Sequence, residues 1–280
     1  MLTALIATLG AAFYGWADFL GGFASRKDSA LRVTIAAQVT GLIALAVITA
    51  VFPPQDWGDP RILWGAAAGV LGGTGVLSLY AGLATGRMSV VAPITAALSG
   101  ALPAAVGLST GATPSLPALV GMVLALVSVI IVSVFAEDEG HGDSRKALVF
   151  AVISGIGFGT SILCWAQTPA STHFAPLVLA RITAITMLVV TGLVFYRGRV
   201  VVSAEARRLA VATGLVDAVA NLTQVTALRM GPLALAAVLG ALYPVGTILL
   251  ARFVLHEHLR GWQRVGIGMA LVAVILTAVP

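Results

Sequence analysis

The feature that most constrains this chain is a succession of long apolar runs, each about the 20 residues that a helix needs to cross a bilayer. They fall at Leu2 to Phe23, Leu31 to Phe52, Ile62 to Ala84, Met88 to Leu108, Leu116 to Phe135, Ala147 to Trp165, Ala175 to Tyr196, Leu209 to Leu228, Leu233 to Val254 and Trp262 to Val279. Charge, proline and glycine cluster between them. In hydrocarbon every backbone amide must be satisfied internally, so runs of this length predict helices; a β-barrel would need alternating polarity, which is absent. The 280 residues, 59% hydrophobic and 10% charged, leave no stretch for a separate soluble domain. The expected fold is an all-α membrane protein of ten transmembrane helices. Arg26 and Lys27 follow the first run and no basic residue precedes it, so it reads as a retained helix rather than a cleaved leader. The single Cys164 lies inside an apolar run, which excludes an intramolecular disulfide.

Basic residues are distributed unevenly. The odd-numbered loops hold Arg26, Lys27, Arg32, Arg87, Arg145, Lys146, Arg197, Arg199, Arg207, Arg208, Arg252, Arg260 and Arg264, whereas the other side holds Arg61 and Arg229. Positive residues favour the cytoplasm in short loops, which predicts external termini on a multi-pass protein of the plasma, or bacterial inner, membrane.

Sliding the chain on itself by about 145 residues superposes Gly69 on Gly214, Leu83 on Leu228, Gly86 on Gly231 and Gly121 on Gly266. GMVLALVSVI from Gly121 then lies over GIGMALVAVI from Gly266. These matches predict five-helix repeats over 1–136 and 147–280 joined by a linker at 137–146. Five is odd, so the second copy would enter the membrane inverted, an arrangement secondary transporters use to build a midplane site.

The layout resembles the drug/metabolite transporter superfamily, in particular its EamA-type transporters. Local likenesses are Gly15-Trp16, the Ala-Leu-Arg-Met-Gly-Pro stretch of Ala227 to Pro232, and Leu242-Tyr243-Pro244, followed by Leu255-His256-Glu257 and a glycine-bearing last helix. His256 stands where the family has glycine, and Glu257 falls over Ala112 in the first half. The resemblance implies two inverted EamA-like repeats around a central cavity lined mainly by helices 1, 3, 4, 6, 8 and 9. It also implies a secondary-active or facilitative carrier, working in efflux, for a small organic metabolite or drug-like solute, with protons as a possible coupling ion. Relatives often have cytoplasmic termini, against the charge count. The competing class is a non-transporting membrane scaffold subunit. The implied partners are the solute and the lipid bilayer, with no nucleic acid, in a monomer or homodimer.

Ionisable groups inside spans are costly and mark candidate sites: Asp18, Arg181 and Asp217. Helical rise puts Asp217 and Arg181 within side-chain reach of each other, with Asn221 and Gln224 continuing the Asp217 stripe. An Arg181–Asp217 pair either serves transport or only ties two helices. Asp18 is expected near the opposite mouth, at the depth of Gln38, which an offset slightly under 145 places over Arg181. There it is either a site group or a solvated mouth residue. Asn221 and Gln224 either contact solute or join helices.

Tyr14, Trp16, Tyr80, Trp165 and Tyr243 could stack on a solute, whereas Trp57, Trp64 and Trp262 sit at span ends and fit an interfacial belt. Pro93, Pro103 and Pro244 remove helical hydrogen bonds, predicting interruptions in helices 4 and 9 that act as gates. Gly65, Gly69 and Gly73 recur every four residues and predict close packing of helix 3. No phosphate-binding loop, zinc spacing or nucleophile–base set is present, so neither enzyme activity, cofactor nor metal is expected. His256-Glu257-His258 lacks the spacing that puts two imidazoles on one helix face, and the acidic run from Glu137 to Asp143 reads as hydrated linker.

Overall fold

The computed structural model describes residues 2–85, 88–111, 114–134, 144–195, 200–246 and 261–278. Among them there is no strand. The helices are α1 (Leu2–Ser25), α2 (Ala30–Val51), α3 (Trp64–Thr85), α4 (Met88–Ser109), α5 (Leu116–Val134), α6 (Ser144–Ala166), α7 (Ala175–Phe195), α8 (Ala204–Met230), α9 (Leu233–Gly240) and α10 (Gly261–Ala278). Among the described residues six stretches are long and apolar enough to cross a membrane: Leu2–Ser25, Ala30–Val51, Pro60–Leu83, Lys146–Ala166, Ala175–Phe195 and Ala204–Met230. Shorter apolar helical stretches lie at Ile94–Ser109, Leu116–Ser128 and Leu233–Gly246. The motif at His256-Glu257-His258 and the acidic run from Glu137 to Asp143 lie outside the described residues.

Among helix starts the largest departure from the apolar runs is at α8, which begins five residues before Leu209. Ser203 caps it by accepting from the Ala206 amide at 3.4 Å, and Glu205 lies in the first turn. A hydropathy criterion discards such a turn because it is polar. Ser29 caps α2 in the same way.

Helix 9 is interrupted and helix 4 is not. α9 stops at Gly240, Ala241 and Leu242 form a turn, and helical backbone resumes over 243–246. Pro244 accounts for the position of the stop, because Gly240 is its i−4 residue, whose carbonyl Pro244 can neither bond nor approach. By contrast α4 runs without a break through Pro93 and Pro103, which corrects the expectation of an interruption there. The helix is braced from outside, with Thr95 Oγ1 donating to the Ala151 carbonyl of α6 at 3.2 Å.

Packing is close because the contact residues are small. α1 lies on α8 and α3 on α6; α2 lies on α8 and α3 on α7; α5 lies on α10 and α2 on α7. A methyl group at Gly69 would overlap the Ala180 carbonyl oxygen of α7, and one at Gly214 would overlap the Ala37 carbonyl oxygen of α2. The Gly65, Gly69, Gly73 stripe faces Pro176, Ala180 and Ala184 in turn, so it is a packing seam.

Ties at the ends of the membrane-crossing stretches hold loops together on both sides. Asp28 accepts from the Ser203 amide at 2.6 Å, from the Ser29 amide at 2.7 Å and from Arg32 Nη1 at 2.8 Å. At the other end the Gln55 amide donates to the Ser171 carbonyl at 2.9 Å. Arg229 donates there to the His173 carbonyl at 2.6 Å and to Thr168 Oγ1 at 3.1 Å.

A polar chamber between the helices

A chamber of about 830 Å³, counted with its open side, lies among α1, α2, α3, α4, α6, α7 and α8 and the interruption after α9. Tyr14 and Asp18 reach it from α1 because they are four residues apart and share a helical face. Trp16 is about 200° round the helix from Tyr14, and it is 44% exposed on the outer face, which corrects its expected place among the stacking aromatics. Tyr80 is buried against Gly21 of α1 and does not line the chamber. Its ring fills the gap between α1 and α3. Trp165 and Tyr243 do line it, and both are buried.

The centre of the site is Arg181. Its Nη1 donates to Gln38 Oε1 and its Nη2 pairs with Asp217 Oδ2. Arg181 and Asp217 side chains are 7% and 17% exposed, so the pair is held largely away from water. Gly41, one turn from Gln38 on α2, gives the guanidinium room: a methyl group there would stand 3.2 Å from Arg181 Cζ. Such a pair resists separation, since removing one member leaves a buried charge uncompensated.

Asp18 faces this same chamber and has no hydrogen-bond or ion-pair partner among the described residues. Its expected position at an opposite mouth beside Arg26 and Lys27 is therefore corrected. Lys27 turns away to Glu205 at 3.7 Å. The cause is the direction of α1, which runs against α8: Thr3 Oγ1 donates to the Met230 carbonyl, and Gly10 abuts Thr223 and Gln224. Continued along both helices, that register brings Asp18 level with Asp217.

Asn221 and Gln224 line the chamber and are 7% and 1% exposed. Asn221 Nδ2 donates to its own helix at the Asp217 carbonyl, 2.7 Å, and Gln224 Nε2 to the Ala236 carbonyl, 3.3 Å. Gln224 Oε1 and Trp165 Nε1 are buried with no partner among the described residues. Pro103 and Pro244 leave without a helical donor the carbonyls of Ser99 and Gly240, four residues earlier, and both of those residues line the chamber. Pro93 lies within α4.

The lining differs from the resemblance in one respect. Helices 2 and 7 join helices 1, 3, 4, 6, 8 and 9, because Gln38 and Arg181 reach in from them. Sequence reasoning also passed over Phe158 and Ser161, which line the chamber on the α6 face that carries Trp165. Their spacing of three and four residues is readable, but in a helix apolar all round it has no contrast.

The second half of the chain, residues 145–279, matches the EamA-like transporter family, which belongs to the drug/metabolite transporter superfamily. The same family is the one the sequence resembles. No curated protein matches the chain. A solved structure described as "Crystal structure of protein" shares the fold, with a TM-score of 0.79 at 15% identity over 100% of this chain and 99% of that one. The helical fold, the apolar stretches and the family match together indicate a multi-pass membrane protein whose second half is similar to a transporter family.

Proposed function

We propose that this chain, EamA-like over residues 145–279, is a ten-helix carrier of small organic solutes that alternates access around the Arg181 chamber. The supporting observation is where the polar groups stand. A scaffold subunit has no use for three ionisable side chains, three buried amides and an interrupted helix converging on one chamber, and membrane burial makes each of them costly.

The proposed five-plus-five inverted repeat, 1–136 and 147–280 around a 137–146 linker, draws support from the packing. Exchanging each of the first five helices with its counterpart five helices later turns the α1–α8 contact into α6–α3, and α2–α8 into α7–α3. The glycine contacts exchange with them, Gly69 on Ala180 for Gly214 on Ala37. Two such halves can rock about a shared site and open it to one side at a time. In this reading Asp18 and Asp217 bind solute or a coupling proton, Tyr14, Trp165 and Tyr243 enclose the solute, and the interruption before Pro244 is the hinge of helix 9. Efflux from the cytoplasm across the plasma membrane is the proposed direction.

Counterflow in liposomes containing the purified protein tests this. Vesicles preloaded with a mixture of unlabelled small metabolites should accumulate at least one labelled component faster than empty vesicles do. Absence of exchange across a broad panel, with the protein folded, would return the chain to the scaffold class.

A further inference from the structure

The chamber's ionisable side chains do not all pair off. Arg181 is committed to Asp217 and Gln38, and Asp18 remains as a carboxyl with no partner among the described residues. An anionic solute would approach two carboxyls with the guanidinium already engaged. A cation would meet Asp18 in a chamber lined by the aromatic residues Tyr14, Phe158 and Tyr243, and aromatic rings attract positive charge.

A second polar station lies farther along. Trp165 Nε1, a donor, and Gln224 Oε1, an acceptor, belong to side chains 9% and 1% exposed, and both residues line the chamber. Burying such atoms unpaired is costly, which points to a ligand that supplies both an acceptor and a donor. They share one end of the chamber. Thr168, three residues past Trp165, is bonded to Arg229, five residues past Gln224. Gln224 follows Asp217 by seven residues, so at 1.5 Å per residue this station is about 10 Å from the level of Asp217 and Asp18.

From this juxtaposition we infer that the solute is an organic cation. It carries an ammonium group for Asp18 at one end, an apolar or aromatic middle, and an uncharged amide-like group about 10 Å away that accepts from Trp165 and donates to Gln224. This inference rests on the chamber being the solute site of a carrier.

The probe is para-(aminopropyl)benzamide, whose ammonium and amide are separated by about that length. Two truncated versions accompany it: para-propylbenzamide, which lacks the ammonium, and phenylpropylamine, which lacks the amide. Equilibrium dialysis against the purified protein in detergent should give saturable binding of the full probe, with each truncated version at least about tenfold weaker. Asp18→Asn should weaken the full probe about tenfold without changing the affinity for para-propylbenzamide, and Asp18→Glu should recover most of the loss. Trp165→Phe with Gln224→Leu should weaken para-propylbenzamide and leave phenylpropylamine unchanged. If a variant unfolds, the comparison of the three probes on the unsubstituted protein still decides. Equal binding of the full probe and para-propylbenzamide, or tighter binding of an analogue with carboxylate in place of ammonium, would overturn the cation assignment. Counterflow separates the two readings. Exchange of solutes with no preference for the ammonium keeps the carrier and removes the cation, whereas selective binding without exchange keeps the ligand class and removes the carrier.

Discussion

Gln38 and Arg181, 143 residues apart, hydrogen-bond to each other from α2 and α7, and each follows the carbonyl that lies against a glycine of the neighbouring helix. Ala37 meets Gly214 and Ala180 meets Gly69. The two side chains thus stand in comparable places on facing helices, one neutral and one charged. This breaks any symmetry of charge at the centre and lets Asp217, on α8, complete the pair.

Separating the members of that pair tests what it does. Asp217→Leu alone should destabilise the protein by about 3–5 kcal/mol, because it leaves Arg181 buried and uncompensated. Arg181→Leu with Asp217→Leu should restore the melting temperature in detergent while transport stays lost. Full transport in the double variant would reduce the pair to a structural tie.

The glycine contacts give a paired prediction. Gly69→Ala and Gly214→Ala each drive a methyl group into a backbone carbonyl that cannot rotate away, so each should cost about 1–3 kcal/mol or more. The two losses should be similar in thermal unfolding. A marked difference would show that the two seams are not equivalent.

Helix 9 supplies the third. Pro244→Ala restores the amide that can bond the Gly240 carbonyl, so the stop at Gly240 should close and the helix straighten. With the two access states biased unequally by about 1.4 kcal/mol, their ratio changes tenfold. Transport at matched expression should fall, and a cysteine at position 221 should become reactive from one side only. An unchanged rate with unchanged two-sided labelling would remove the hinge assignment.

Asp28 gives a pH dependence. Burial pushes its carboxyl pKa up, but the Ser203 and Ser29 amides and the Arg32 charge together outweigh burial and hold it below the usual range. The folded protein therefore binds this proton less readily than the unfolded chain. The stabilisation is complete above the unfolded pKa of about 3.9 and fades as pH falls through the lowered folded value. Asp28→Ala should lower the melting temperature at pH 7, by the equivalent of about 1–3 kcal/mol. Melting curves of the two proteins should converge in strong acid; a gap independent of pH would exclude this carboxylate as the source.

Orientation is testable apart from mechanism. The basic loops predict that 137–146 faces the cytoplasm. A cysteine at Gly140, in a Cys164→Ser background, should resist an impermeant thiol reagent in intact cells. Rapid labelling would reverse the assignment.

Much of the fold is legible in the sequence because lipid imposes one dominant rule, that apolar length makes helix. The rule works at α2 and α7, whose ends lie within a residue of the apolar runs, and fails at α8, whose first turn is polar and held by Ser203. The Arg181–Asp217 contact is legible because helical rise fixes depth. Depth is not azimuth, however. Trp16 and Tyr80 are aromatic and near the right level, yet one faces outward and the other fills a seam. Asp18 could not be placed beside Asp217 without the antiparallel register of α1 on α8, a tertiary fact set by Gly10 and Thr223.

The two loop ties described above differ in their tolerance of inheritance. The bond at Asp28 depends on a side chain, so most codon changes at that position abolish it. The bond from Gln55 to Ser171 runs main chain to main chain, and among single substitutions of the donor only proline removes it outright. The tie at Asp28 is therefore genetically fragile and the tie from Gln55 to Ser171 robust. Random mutagenesis screened for altered transport should recover lesions at position 28 far more often than at 55 or 171.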